Sequence, residues 1–546
     1  MFVRRKLVVI SLGVALIAIL SFGYGAAFER YDLFPRKYIS KAVNRARTIR
    51  TPYVEESERI ESIFTGIKVS RFKAPDMGRR GAIDVHGNTI LGTDRSGNFF
   101  LFRRERDRTP VFDRLSIEVD TRYEEFEEYT KEVGISANLS WFRIHDILLD
   151  MDGRRLFVSH HYWNGKENCS TVRFSMLRLD DDTDLRSLDR STNEWKVVYE
   201  TTPCVELQKA GDPFWGLHAG GRMALVGDDQ LIVTVGDHVL DGLAGTRNHP
   251  QDPESSYGKV LKIHLDTDAV QVISGGHRNP QGLEIDRDGR VWVTEHGPDG
   301  GDELNLIVEG GNYGFPHVSY GVAYGENTWP LSDQQGRHRG YNLPIFAWVP
   351  SIGISNLIQL SGFTPEWDGD LLVGSLYKQT LYRLRYEEGR IIFAEAVSVK
   401  KEIRDIDQLD DGTIVLWTDA AEIIELRPVP RFQEPVPETV ASLGASTREE
   451  VMGTIRACKQ CHGISPDAEN LKSPNLWGVY GREIAGTEYH LYSTALRQKR
   501  GRWDRAALDT FLRNPDVFAP GTTMEYGPIR DDRIRAGVLL YLESLQ

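Results

Sequence analysis

Cys458, Cys461 and His462, within RACKQCHGI, set two thiols three residues apart with an imidazole directly after the second. Thiols at that separation meet the two vinyl groups of a haem as thioethers, and the adjacent imidazole ligates the iron, so the motif predicts a covalently bound haem c. A lone Cys-x-x-Cys could be half of a zinc site, but the other half is missing, for the chain has no second such cysteine pair. The sixth ligand must then come from downstream. PGTTMEYGP places Met524 behind a Pro-Gly turn, in polar sequence where a methionine has little packing reason to stand. His490, the other nearby histidine, reads as a surface or loop residue.

The elements that must hold this haem are helical. TREEVMGTIRACKQCHGI has helical spacing and carries the cysteines at its C-terminal end, while RDDRIRAGVLLYLESLQ is a second amphipathic helix able to pack on the first. Across 450–546 the chain resembles the class I cytochromes c of mitochondrial type, on CKQCHG, SPNLWGVYGR from Ser473, FLRNPDVFAPGTTM from Phe511 and GVLLYLES. The resemblance implies a small all-α domain. It also implies a turn at Pro474 whose carbonyl accepts from the proximal imidazole, a propionate contact at Trp503, and His462/Met524 ligation that raises the haem potential. Upstream, 429–449 lies in a Pro-rich stretch that reads as a semi-extended linker, about 20 residues that reach roughly 70 Å at most.

Between residues 61 and 428 one phrase recurs six times: VHGNTILGTD from Val85, MDGRRLFVSH from Met151, GDDQLIVTVGD from Gly227, RDGRVWVTEHG from Arg287, WDGDLLVGSL from Trp367 and DDGTIVLWTD from Asp410. Five of the six join an acidic-Gly turn, and the first a His-Gly turn, to a strand of alternating apolar residues, the pattern of a short antiparallel hairpin. Six copies predict an all-β, six-bladed β-propeller, with a pair of β-sandwiches as the rival. No helix-period segment is expected to interrupt them.

One blade departs from the plain repeat. Residues 275–316 gather His277, Arg278, Asn279, Gln281, Glu295, His296 and an acidic Gly-rich turn, a density of polar groups that is costly to bury without a ligand. This block, and more weakly the chain from about 60 to 428, resembles the soluble pyrroloquinoline-quinone (PQQ) sugar dehydrogenases, also called aldose sugar dehydrogenases. The resemblance implies that Arg278 and Asn279 of GHRNPQG touch the quinone. It implies that carbonyls of Gly297 and Pro298 hold the calcium on which the quinone sits, with Glu303 and Tyr313 candidates for a second calcium. It makes His218 of WGLHAGGRMAL the base that takes the proton of the sugar C1 hydroxyl, with Arg278 polarising the quinone carbonyl.

The match has departures. Tyr377 stands where relatives carry a lysine, which moves to Lys378. Arg404 remains of an Arg-x-Arg-Asp motif, but Glu402 replaces its first arginine, and Trp141 replaces a glutamine. Losing cationic partners for a tricarboxylate weakens its expected affinity, because charge-assisted pairs are worth about 1.5–3 kcal/mol each.

A net charge of −13, with 40% hydrophobic and 27% charged residues, excludes a disordered chain and argues against nucleic acid as a partner. Residues 1–28 place Arg4, Arg5 and Lys6 before an uncharged run from Leu7 to Phe28, either a retained single-pass anchor or a cleaved secretory signal, with 29–60 as a connecting segment. Both options export the rest of the chain, which suits a disulfide between Cys169 and Cys204, alternatively two buried thiols. The combined expectation is a quinohaemoprotein on the periplasmic face of a bacterial inner membrane. It would oxidise a sugar or polyol with PQQ and Ca²⁺ and pass electrons through haem c to a downstream cytochrome or oxidase. The alternative is a propeller without quinone activity, serving as a docking module for an electron-carrying cytochrome.

Overall fold

The structure is a computed structural model. It describes residues 56–546 apart from 75–76, 104–109, 135–141, 180–184, 186–187, 189–193, 208–213, 244, 431–435, 460, 467–472, 523, 525–527 and 546. The segment 1–28 read as a membrane anchor or signal, most of the connecting segment 29–60, and Trp141 lie outside the described residues. No helix among the described residues is long and apolar enough to cross a membrane. The chain divides into two compact units, 1–431 and 432–546.

The first unit is a six-bladed β-propeller. Its innermost strands are β1 (Ala82–His86), β2 (Ile144–Asp150), β3 (Gly220–Val226), β4 (Pro280–Ile285), β5 (Ile354–Gln359) and β6 (Ile403–Gln408), and each adjoins the next around a closed ring. Each blade continues outward as an antiparallel meander; blade 1, for example, runs β1, Thr89–Thr93, Phe99–Arg103, Val111–Leu115. The sixth blade is completed by the chain's beginning, because Gly66–Lys73 pairs with Glu422–Val429 and Glu56–Glu61 adds an outer edge. The six recurring phrases each mark the turn from a blade's innermost strand to its second strand.

Period-two alternation in those second strands explains the packing. A second strand is covered on both faces by neighbouring blades, so its odd and even residues enter different cores. Leu231 and Val233 pack between blades 2 and 3 while Ile232 packs between blades 3 and 4; Leu371 and Val373 face blade 4 while Leu372 faces blade 6. The hydrophobic core is therefore six wedges between blades.

One expectation is corrected. Helix α1 (Tyr123–Glu132) does interrupt the repeats between blades 1 and 2. Its buried face is narrow, Phe126 and Thr130 four residues apart in the otherwise acidic run YEEFEEYTKE, so its period is hard to see. Phe126 stacks on Phe142 at 4.5 Å. Cys169 and Cys204 form a disulfide that ties the third strand of blade 2 to Val205–Glu206.

The second unit is helical: α2 (Glu438–Ala441), α3 (Ala445–Cys458), α4 (Thr494–Gln498), α5 (Arg505–Arg513), α6 (Pro515–Phe518) and α7 (Asp532–Glu543). Asp504 and Asp531 start α5 and α7 by accepting from the N–H groups of Ala507 and Arg533, both at 2.8 Å. Helices α3 and α7 pack on each other at Gly537, where a β-carbon would come within 2.4 Å of Val451. Thus α2 and the first turn of α3 occupy the end of the stretch read as linker.

Candidate functional site

His218 precedes β3 by two residues at the propeller end where the innermost strands begin. Its backbone is left-handed, φ 51°. Glycine is required opposite, since a β-carbon on Gly236 would lie 1.8 Å from the His218 carbonyl oxygen. The half-buried ring is fixed by one bond, Nδ1 to Oδ1 of fully buried Asp237 at 2.8 Å. Burial, and then the neighbouring Arg278 and His296, hold the His218 pKa well below the ordinary imidazole value. The ring is therefore neutral at pH 7. Burial pushes the Asp237 carboxyl up to about 7 against the opposing pull of Arg278.

Asp237 also connects the base to the next blade, for its backbone N–H donates to the Arg278 carbonyl at 2.7 Å. Arg278 precedes β4 by two residues, the place His218 holds ahead of β3. Buried Glu295 accepts from the Arg278 backbone N–H and from His277 Nδ1 at 2.9 Å. Arg278 Nη1 donates to the carbonyls of His296 and Gly297 at 3.1 and 2.7 Å. Asn279 accepts from Gln281 at 2.8 Å, and its carbonyl accepts from the His296 N–H at 3.0 Å.

Gly297, Pro298, Glu303 and Tyr313 line a single cleft with Arg278 and Glu295. Asp302 shapes its wall by accepting from the N–H groups of Gly297, Ile352 and Ile354 at 2.9–3.1 Å. Glu303 is buried, bonded by Asn305 and 3.4 Å from His338, with its pKa raised by burial. Tyr313 stacks on His277 at 4.8 Å. The Gly297 carbonyl beside the buried carboxylates of Glu295 and Glu303 forms an oxygen-rich donor set that suits Ca²⁺. The Gly297 carbonyl would then exchange part of its bond to Arg278 for the ion.

Among the described residues, the positions that depart from the expected pattern lie at the same end. Tyr377 is 72% exposed, with Lys378 Nζ 4.7 Å above its ring. Their hairpin is held to the start of β5 by Leu376 N–H to Gly353 O and Lys378 N–H to Ile352 O. Glu402 is exposed, and Arg404 forms a two-point ion pair with Asp419 at 2.7 and 3.0 Å. His145 and His238 are buried near His218 with both ring nitrogens lacking a protein partner, as is Asp237 Oδ2. Buried ring nitrogens left in this state are what a polar ligand satisfies, and Arg278 and Arg404 at the same end of the propeller supply the positive charge that suits an anionic quinone.

In the helical unit α3 ends at Cys458, and the His462 N–H donates to the Cys458 carbonyl at 3.0 Å, which curls the motif into one turn. The two thiols are free. His462 Nδ1 donates to the Pro474 carbonyl at 2.7 Å; a carbonyl only accepts, so Nε2 is left with its lone pair for iron. Trp503 is buried and stacks on Phe518, Met524 is half-buried against the same core, and His490 is exposed. These residues fit a haem c.

The model of glucose / sorbosone dehydrogenases matches residues 144–425, more than half of the chain. The chain belongs to the Glucose / Sorbosone dehydrogenase family. An uncharacterised protein of Synechocystis sp. is 32% identical over 284 residues, 48% of this chain and 64% of that protein, so the chain spans less than two thirds of that relative. The aldose sugar dehydrogenase of Escherichia coli is 26% identical over 331 residues, 54% of this chain and 82% of that one. Over 116 residues, 21% of this chain and 56% of the relative, the C-terminal part is 36% identical to the cytochrome c-type cyt cy of Rhodobacter capsulatus. The apo-form structure of the soluble E. coli aldose sugar dehydrogenase aligns at a TM-score of 0.53 and 22% identity, covering 66% of this chain and all of that one, and shows the shared fold.

Within this glucose / sorbosone dehydrogenase propeller, sequence reasoning missed Asp237, Asp302 and Asp419. Asp237 and Asp419 are the last residues of two of the recurring phrases, VTVGD and LWTD. That repeated acidic ending was the available signal.

Proposed function

We propose that the propeller oxidises the C1 hydroxyl of an aldose, or of a related polyol, with PQQ held on Ca²⁺, and that the C-terminal haem c receives the electrons. The observation that carries this reading is the His218–Asp237 pair joined through one backbone bond to Arg278. Family membership and the name of the E. coli relative support the substrate class. When bound, the quinone supplies a two-electron acceptor for the hydride on C1, and haem c supplies a one-electron relay. Neutral His218 takes the hydroxyl proton at Nε2 as C1 gives up its hydride, and Asp237 holds the imidazole in the tautomer that leaves Nε2 basic. Arg278 sets a fixed positive charge where negative charge develops. Arg278, Asn279, Arg404 and the hairpin at Tyr377 and Lys378 would hold the quinone; Gly297 and Pro298 would hold its calcium, and Glu303 and Tyr313 a second.

We further propose that residues 1–28 anchor the chain in a bacterial inner membrane, or export it, with both units in the periplasm. A second cytochrome or an oxidase would accept electrons from the haem. The rival reading, a propeller acting only as a docking module, is favoured by exposed Glu402 and Tyr377 in places where relatives carry cations. Reconstituting the purified full chain with Ca²⁺ and PQQ and following dye reduction by a panel of aldoses separates the two. Sugar-dependent reduction is expected, and none with any aldose or polyol contradicts the enzymatic reading.

A further inference from the structure

We propose that Arg80 and Arg143, with Arg404, form a carboxylate-binding subsite at the mouth of the propeller channel. The inference rests on the ligand-binding reading of the His218 and Arg278 end of the propeller given above and adds residues from blades 1 and 2 at that end. Arg80 precedes β1 by two residues and Arg143 directly precedes β2, so in blades 1 and 2 they stand near the places that His218 and Arg278 take in blades 3 and 4.

Arg404 and Arg80 converge on one carboxylate, and Arg143 lies within electrostatic reach of it. Arg404 holds Asp419 at two points, and Arg80 Nε lies 4.0 Å from the same group. Burial works to raise the Asp419 carboxyl, but the Arg404 bond and the charges of Arg404, Arg80 and Arg143 outweigh it and keep its pKa below the ordinary value. The arginines also oppose one another: after burial, Arg404 is the largest influence lowering both Arg80 and Arg143. Their backbones are fixed. The Arg80 carbonyl accepts from Trp417 Nε1 at 3.0 Å and the Arg143 carbonyl from the His161 N–H at 3.0 Å.

The cluster runs on towards the base. Arg222 of β3 donates to the Arg404 carbonyl at 3.3 Å. His145, two residues after Arg143, packs where a β-carbon on Gly221 would stand. Planar guanidinium forks at this density match the geometry of carboxylates, whereas neutral sugar hydroxyls have no need of three cations. Arg80 and Arg143 thus supply positive charge from blades 1 and 2 for a ligand that has lost cationic partners at Tyr377 and Glu402. The carboxylate belongs either to the quinone or to a uronic acid substrate.

The test titrates haem-loaded, full-length protein with PQQ and with its trimethyl ester, following tryptophan fluorescence quenching. It compares the native chain with Arg80→Gln, Arg143→Gln and Arg143→Lys, each checked for folding by its thermal midpoint. Free quinone should bind at least about tenfold more weakly to a folded Gln variant. Ester binding should be unaltered and Arg143→Lys should recover part of the loss. Unchanged quinone binding with a raised KM for a uronic acid, and not for its neutral aldose, also upholds the subsite and assigns the carboxylate to the substrate. Unchanged quinone binding and unchanged KM for uronates overturn the inference and leave the quinone reading standing. No quinone binding by the native chain overturns that reading and the inference with it.

Discussion

Nδ1 of His218 lies 2.8 Å from Oδ1 of Asp237, a carboxylate with no exposed surface. The pair fixes which imidazole nitrogen stays free to act as the base. Asp237→Asn is expected to keep the fold and the haem but to leave the ring free to adopt the wrong tautomer. Steady-state assays of the quinone-loaded protein should then show kcat lowered by roughly 10²–10⁴ with quinone affinity unchanged. His218→Ala should abolish sugar-driven reduction and leave the dithionite-reduced haem spectrum as in the native protein.

Acid pH should act through the same pair. Above about pH 7 Asp237 is ionised and accepts from Nδ1, leaving the Nε2 lone pair for the substrate. Below it the carboxyl keeps its proton, donates to Nδ1 and shifts the ring hydrogen to Nε2. His218 itself, with its pKa held low by burial, stays neutral across this window. The expected profile is kcat/KM rising with pH through about 7 to a plateau, and a flat profile across that range counts against the assignment.

Calcium is expected to act through quinone affinity. Treating reconstituted protein with a chelator should release the quinone, seen as recovered tryptophan fluorescence, and added Ca²⁺ should restore binding. Glu303→Gln should weaken the Ca²⁺ response while leaving the haem spectrum unaltered.

In the helical unit, Met524→Ala should remove the thioether ligand. A lower midpoint potential in redox titration, with an altered absorption spectrum, is the expected outcome. An unaltered spectrum would place the sixth ligand elsewhere.

The disulfide closes a span of 35 residues. Cys169→Ser should lower propeller stability by about 2–4 kcal/mol, measured by denaturant unfolding, with the haem unit unaffected.

Much of this was legible from local chemistry. Cys458, Cys461 and His462 carry their function in spacing alone, and the six recurring phrases all proved to be the same turn. Edge strand Glu56–Glu61 was hidden because ESERIE sets only one apolar residue, Ile60, against the core, too little to display an apolar alternation. Helix α1 was hidden by its acidic surround. The partners Asp237, Glu295 and Asp419 close second strands, yet each bonds a residue placed at or just ahead of an innermost strand: His218, Arg278 and Arg404. Those pairs are separated by 15 to 19 residues and meet only when the blade folds, so no sequence window displays them. Arg80 and Arg143 come from still more distant blades.

The central claim is that sugar oxidised in the propeller reduces the haem of the same chain. Its most direct test mixes anaerobic, oxidised full-length protein, loaded with Ca²⁺ and PQQ, with an aldose and follows the haem α band by stopped flow across a range of protein concentrations. Reduction that requires sugar and whose rate constant does not vary with protein concentration is the predicted result, because tethering makes the transfer intramolecular. A haem that stays oxidised while sugar is consumed, or that is reduced at a rate proportional to protein concentration, contradicts it.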